Sequence, residues 1–439
     1  MESSINSDNS QEAIPGLQDI ADQIDDLGWD LAGSAKASGA LVRRREIQTA
    51  KDLLRMVLVY CLTDWSLDQV GMWALLQGIG SLSKVAVRQR LRNSSVWMGQ
   101  LVGLWLQQRC AALQQLGGLM VRLMDATVIS RSGSPGTGWR VHLLFDLLQL
   151  RVAGLELTDA HGGETLARIP PQPGEIRIAD RGYAFLSGIV TLLATAYLVL
   201  RINWQNLPLY QLDGQRFDLP TWLKTLTHAT ECWVMVKDGP DSYPLRLLAC
   251  PLPPEARQAA IRRARRAATK KKHQLHPNTL LAAGFLLLLT NLPADPWSLQ
   301  QVLWLYRLRW QVELYFKRLK SILTIDHLRA QDDALAQTYL LGKLLAALLL
   351  DDLLQQTRLQ QPDWFLDLDR PVSIWRLTHL WWSAFVQLVV GPITLTAIFR
   401  CLPALRRYLT SPPRDRPQQL ALAQAILEHF SFSPPHIVC

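Results

Sequence analysis

The stretch YRLRWQVELYFKRLK, Tyr306 to Lys320, sets a carboxylate among cations at helical spacing. A helix turns about 100° per residue, so Glu313 falls almost directly below Tyr306, one turn from Arg309 and two turns from Lys320. All four project from one stripe. The other face carries Leu308, Val312, Tyr315 and Leu319, three or four apart, as a helix docked on a core requires. The spacing therefore predicts one helix over 306–320 that presents Glu313 between two cations and a phenol. Arg309 and Glu313 at i,i+4 would equally make an ordinary surface ion pair, worth roughly a few tenths of a kcal/mol. Two upstream aspartates stand in settings suited to the same chemistry. LMVRLMDATVIS alternates and turns β-rich, which places Asp125 in or at the end of a strand. In GEIRIADRGYAFL, Ile176 and Ile178 alternate into Asp180 and a helix begins soon after Tyr183. The carboxyl end of a strand before a helix is a favoured place for a site in an α/β sheet. A cap or turn role would put an aspartate there as well.

The order Tyr, two residues, Arg, three residues, Glu, six residues, Lys is reproduced without a gap by Tyr306, Arg309, Glu313 and Lys320. It resembles the signature of DDE transposases of the insertion sequence four family. D-A-T at Asp125, Ala126 and Thr127, and D-R-G-Y at Asp180 to Tyr183, look like the two aspartate motifs of that family, in the correct order before Glu313. The resemblance covers about Arg43 to Leu328. It implies that Asp125, Asp180 and Glu313 form a catalytic and metal-binding triad on an RNase H-like sheet, with two Mg²⁺ ions as cofactors and Mn²⁺ as an alternative. Two hard cations about 3.5–4 Å apart neutralise the attacking and the leaving oxygen of a phosphodiester, and such ions take oxygen ligands. The implied reaction is hydrolytic nicking at transposon ends followed by strand transfer. Its partners are double-stranded DNA, both transposon ends and target, and a second copy in a synaptic homodimer. The implied location is the bacterial cytoplasm, with the nucleoid and not a membrane. Tyr306, Arg309 and Lys320 are expected to hold phosphates next to the scissile bond. One of the 16 tryptophans would stack on a flipped base, and the sequence does not say which. Two other classes fit the residues: a metal-dependent nuclease of the same core, and a catalytically inactive DNA-binding derivative, which would have lost a carboxylate.

The elements that must position these residues can be read along the chain. With 439 residues, 49% of them apolar, there is enough chain for two or three domains and a large core. The balance of 46 Lys and Arg against 37 Asp and Glu gives +9, which favours a polyanionic partner. Six scattered cysteines with no C-x-x-C pair read as reduced, cytosolic thiols. The polar, acidic N-terminus lacks the pattern of a secretory signal. The apolar run Trp381 to Phe399 is interrupted by Gln387, Gly391 and Pro392, and reads as a buried core segment.

The fold class expected is α/β: an RNase H-like catalytic core interrupted by a β-rich insertion, with an all-helical N-terminal DNA-binding region. Residues 1–40 form a loosely ordered lead-in. Residues 41–116 are helical, and Ser83 caps a short helix with Lys84, Arg88, Arg90 and Arg92 that is either half of a helix-turn-helix or part of a bundle. Residues 117–204 begin the core with three antiparallel strands joined first by RSGSPGTG, which reads as a hairpin connection. Asp159, His161 and Glu164 in TDAHGGE could suggest a metal site, and a self-bonded loop is preferred. Residues 205–285 are the insertion. It ends in a basic helix with Arg262, Arg263, Arg265, Arg266, Lys270, Lys271 and Lys272, read as contacting DNA phosphates. Residues 286–403 complete the core, and 404–439 form a helical tail.

Overall fold

The computed structural model describes residues 28–391 apart from 116–118, 132, 134–135, 271, 273 and 367–368, together with Phe399; for 111–115 it describes the backbone alone. The tail from 404 and its expected helix lie outside the described residues. The described helices are α1 (Leu31–Ala37), α2 (Ala50–Leu62), α3 (Leu67–Leu76), α4 (Lys84–Asn93), α5 (Ser95–Gln115), α6 (Leu186–Leu193), α7 (Leu219–Lys224), α8 (Pro254–Lys270), α9 (Pro277–Ala282), α10 (Leu299–Arg307), α11 (Trp310–Ser321), α12 (Asp333–Gln360), α13 (Asp363–Leu366) and α14 (Ile374–Val390). The strands are β1 (Met120–Ser130), β2 (Thr137–Asp146), β3 (Arg151–Asp159), β4 (Glu175–Ala179), β5 (Tyr197–Arg201), β6 (Thr230–Asp238), β7 (Asp241–Pro251) and β8 (Phe285–Thr290). The described chain divides into two compact units, one of them Trp105–Ser321 and the other the remainder, with the division inside α5.

The Trp105–Ser321 unit is built on a single sheet of order β3-β2-β1-β4-β5-β8-β7-β6. The first three strands form the expected antiparallel meander, and β4 and β5 run parallel to β1. Every position of β4 is buried, as a strand covered on both faces requires. The β1–β2 connection is the hairpin read from the sequence, with Gly133 at φ +74° supplying the left-handed turn residue. Ser132, Ser134 and Pro135 of that loop lie outside the described residues.

A buried charge network that the sequence reading missed fixes the pairing of β1 with β4. Arg122 and Arg177 are register partners on those strands, and both donate to Glu175, Arg122 Nη1 at 3.0 Å. Glu175 and Arg177 are fully buried, and Arg122 is 1% exposed. Asp146 adds a second carboxylate 3.7 Å from Arg122 Nε. Charges this deep persist only when paired, so a slip of one residue between the strands would strand several of them. Both candidate aspartates sit three residues beyond these arginines.

The insertion corrects the expected picture. Its strands β6 and β7 do not form a separate β-rich body but extend the main sheet, β7 pairing with β8 and β8 with β5. The reason lies in FLLLLT of β8, which is buried at five of its six positions and offers two edges, so it needs a partner on each side. Val234, Leu245 and Leu247 of the insertion share one core with Met124, Leu198 and Leu289.

The other unit is helical. Helix α12 is buried on nearly every face, including Leu340, Leu344, Leu345 and Leu348, and α2, α4 and α14 pack on it. Residues 322–391, expected to continue the catalytic core, therefore group with the N-terminal helices, because an all-round apolar helix needs neighbours on all sides. Helix α12 is long and apolar enough to cross a membrane by composition, yet 83% of its most apolar window is buried in the protein. The described part of the Trp381–Phe399 run is the end of α14, with Trp381, Phe385 and Val389 buried. The lead-in expected to 40 ends sooner. Asp30 caps α1, and Leu31, Ala35 and Ala40 are buried. The cations of α4 are engaged within their own unit: Arg88 and Arg92 with Asp332, Lys84 with Asp68, and Arg90 with the Arg43 carbonyl.

Candidate active site

The β1–β4 ladder ends on the pair Met124 and Ala179, so Asp125 and Asp180 are the next residues on adjacent parallel strands. Asp125 Oδ1 accepts from the Ala126 amide at 2.9 Å. Asp180 stands where β4 gives way to a single 3₁₀ turn over Arg181–Tyr183, and its Oδ1 accepts from the Gly182 amide at 2.7 Å. The cap role open in the sequence is thus real, and it uses only one of the carboxylate's oxygens.

The single helix expected over 306–320 is broken. Tyr306 lies in the last turn of α10, Leu308 and Arg309 form a turn, and α11 starts at Trp310. Through this joint the amides of Leu308, Arg309, Gln311 and Val312 each donate to the carbonyl three residues back, a tighter winding than the α-helix expected there. The apolar face survives, with Leu308, Val312, Tyr315 and Leu319 all buried. Helix α11 packs against β1, and the Tyr315 ring meets Phe145 of β2 at 5.3 Å between centroids. Arg309 pairs with Glu313 as its spacing implies, and its other nitrogen, Nη1, lies 3.4 Å from Asp125 Oδ2. One guanidinium therefore links two of the three carboxylates. Glu313 is exposed, whereas Arg309 and Asp125 are largely enclosed.

Burial pushes Asp125 up to about 6, with Asp180 and Glu164 adding to the rise and the Ala126 amide and Arg309 opposing it. The Tyr306 phenol is also raised by burial, lowered in part by Arg309 and Arg201 and raised by Asp180, which places its ring among those three charges despite the helix break. Its hydroxyl makes no hydrogen bond of normal geometry. Lys320 is half-buried, and no ion pair reaches it among the described residues. Among the described residues no three His, Cys, Asp or Glu side chains converge closely enough to hold a metal ion in this arrangement. The donor chemistry nonetheless fits a hard divalent cation: the groups are carboxylate oxygens, and a cation, the Arg309 guanidinium, already lies between two of them. In TDAHGGE, Asp159 Oδ1 accepts from the amides of His161 and Gly162, as the loop reading has it.

A cavity of about 520 Å³ in the same unit is lined by Arg181, Arg201, Asn203, Trp204 and Arg263, among others. Arg181 follows Asp180, Arg201 ends β5, and Arg263 comes from the basic helix α8, so three guanidiniums from three elements surround one space. Arg181 was read only as part of the D-R-G-Y motif, and neither it nor Arg201 was given a DNA-binding role from the sequence. Arg262, Arg263, Arg265, Arg266 and Lys270 on α8 are exposed, as is Lys272 just beyond it, and no carboxylate pairs with them among the described residues; Lys271 lies outside those residues. Replacing Arg262, Arg263, Arg265 and Arg266 together by Ala is expected to flatten the slope of log affinity for duplex DNA against log salt. Each phosphate that is no longer neutralised by a side-chain cation removes about 0.9 from that slope. A titration between low and moderate salt checks this, and an unchanged slope would mean that the helix is merely solvated.

With this geometry in place, likeness to known proteins is informative. Residues 117–349, which include every candidate residue above, match the family described as Transposase DDE domain. The chain is 40% identical over 335 residues to the putative transposase InsL for insertion sequence element IS186A of Escherichia coli (strain K12), an alignment covering 74% of this chain and 90% of that protein. The transposase for insertion sequence element IS421 of Escherichia coli is likewise 40% identical, over 336 residues, 74% of this chain and 91% of that protein. A shorter likeness, 40% over 81 residues, links the chain to the transposase for insertion sequence element IS231F of Bacillus thuringiensis subsp. israelensis, covering 18% of this chain and 17% of that protein. The chain belongs to the DDE transposases, and within them to the insertion sequence four family.

Proposed function

We propose that this protein is a DNA transposase that cuts phosphodiester bonds at the ends of its element and joins the freed ends to a target duplex. The observation that carries this reading is that register sets Asp125 beside Asp180 while Arg309 ties Asp125 to Glu313. The order β3-β2-β1-β4-β5, with a meander followed by two parallel strands, supports an RNase H-like core, to which β8, β7 and β6 are added. Asp125, Asp180 and Glu313 would hold the Mg²⁺ ions, which when bound supply charge neutralisation at the attacking and leaving oxygens. Tyr306 and Arg309 border those carboxylates and bind the phosphates next to the scissile bond, and Lys320 further along α11 adds a third contact. The α8 cations and the arginines around the Trp204 cavity hold the duplex by its backbone, without reading sequence. Two copies pair two ends, and the reaction takes place on DNA in the bacterial cytoplasm.

The test is a joining assay. The full chain is incubated with Mg²⁺, a duplex bearing the inverted repeats that flank its reading frame, and a supercoiled target plasmid. Cleaved ends covalently joined to the plasmid are expected. Nicked ends without joined product would convert the reading to a nuclease, and DNA binding with neither product would leave a binding protein.

A further inference from the structure

Gly182 reports on a carboxylate that neither the family signature nor the sequence reading places in the site. A Cβ at this position would lie 2.3 Å from Glu164 Oε2 and 3.0 Å from Asp180 Oδ1. The two oxygens therefore border the same small space beside the glycine, no more than about 5 Å apart, and oxygen ligands of one hard cation at about 2.0–2.1 Å each can stand up to about 4 Å apart. Any side chain larger than hydrogen would fill the space between them.

Glu164 arrives there on a fixed loop. Arg177, fully buried in β4, donates to the carbonyls of Leu166 at 2.8 Å and Ile169 at 2.7 Å, which anchors the chain just past Glu164. Its carboxylate has neither an ion pair nor a hydrogen bond among the described residues. Arg140, a cation within electrostatic reach of it, donates to the Gly162 carbonyl at 2.8 Å instead. A second, independent observation points into the same space. Tyr183 is fully buried, and its hydroxyl has no hydrogen-bond partner. Asp125, Glu164 and Asp180 are the carboxylates within electrostatic reach of that hydroxyl. A buried donor left unpaired is costly, about 1–3 kcal/mol, so this hydroxyl is an unused polar group in the region of those carboxylates.

We infer that Glu164 is a metal ligand of the active site, sharing a divalent cation with Asp180, with the buried Tyr183 hydroxyl near the same carboxylates. The inference rests on the proposed roles of Asp125 and Asp180. It assigns to TDAHGGE a part in the chemistry: Asp159 shapes the turn, and Glu164 leaves it for the site.

Mn²⁺ binding by the full chain without DNA tests this, read by electron paramagnetic resonance and by the rise in unfolding temperature that Mn²⁺ produces. Glu164→Gln is expected to weaken Mn²⁺ binding at least tenfold and to shrink that rise, with Glu164→Asp intermediate. Because no protein partner is lost, the unfolding temperature of Glu164→Gln without metal should equal or exceed that of the unsubstituted chain. Wild-type Mn²⁺ affinity in Glu164→Gln overturns the inference, and so does a metal-free unfolding temperature several degrees lower, which would make Glu164 a structural residue. Asp125→Asn is measured in parallel. If it loses Mn²⁺ and Glu164→Gln does not, only Glu164 is misassigned; if Asp125→Asn keeps full affinity, the reading of the triad itself fails.

Discussion

Replacing Asp125 by Asn is expected to lower the rate of end cleavage by on the order of 10³-fold or more, while making the metal-free protein more stable. The catalytic loss follows from the role proposed for Asp125: Asn keeps the shape and the Ala126 contact but not the anion that would hold a cation at the scissile phosphate. That electrostatic stabilisation is worth several kcal/mol, at about 1.4 kcal/mol per tenfold in rate. The gain in stability follows from the raised pKa. In the unfolded chain an aspartate ionises near its ordinary value of about 3.9, whereas in the fold Asp125 holds its proton up to about 6. A raised folded pKa means that the side chain's contribution is fully present below about pH 4 and is lost as pH rises through about 6. At pH 7.5 the ionised group therefore opposes folding, by at most about 3 kcal/mol on that shift. Asn removes the penalty, so the unfolding midpoint of the metal-free variant should rise by a few degrees at pH 7.5 and be unchanged near pH 4. Affinity for end DNA should stay within about threefold. Calorimetry at the two pH values and a gel assay of end cleavage make the comparison. Normal cleavage by Asp125→Asn in Mg²⁺ would remove Asp125 from the chemistry.

The two aspartates were legible because their signals are local. A β-rich alternation running into an acidic residue describes both Asp125 and Asp180, and the structure places each at the end of the β1–β4 pairing. Glu313 and Arg309 were legible because an i,i+4 pair survives any small error in helix bounds. The single helix over 306–320 was not legible as two, because a tightened turn at Leu308–Arg309 has no glycine or proline to announce it. The insertion strands were found but not their partners, since which edge β7 joins is decided by a strand some 35 residues further on. Glu175 between Arg122 and Arg177 was invisible for a deeper reason. A charged triplet spread over two strands looks like ordinary surface polarity until the register brings it together. Glu164 was named as one of three possible ligands in TDAHGGE, but its nearness to Asp180 at Gly182, 18 positions away, was not legible.

Arg309→Ala is expected to tighten Mn²⁺ binding by about three- to tenfold and at the same time to slow the steps after the first nick by about 10²-fold. The two effects come from one side chain serving two anions. Its guanidinium lies between Asp125 and Glu313, where it opposes the approach of a second cation by occupying their free oxygens and by like-charge repulsion. With Asp125 and Glu313 holding a divalent cation, the guanidinium would be free to pair with a phosphate, for which its planar fork is suited. Removing it frees the carboxylates, so metal affinity rises. The strained, nicked end then lacks the cation that holds it for in-line attack, so the later steps fall behind. The first nick is made on an intact duplex, for which the α8 cations are the proposed hold, and should slow by less than about threefold. Single-turnover rates on intact and pre-nicked ends, together with an Mn²⁺ titration, separate these effects. Arg309→Lys should retain the competition with metal but recover little of the later rate, because an ammonium cannot bridge two oxygens as a fork does. Equal slowing on both substrates, with Mn²⁺ affinity unchanged, would return Arg309 to the role of a helix-surface charge paired with Glu313.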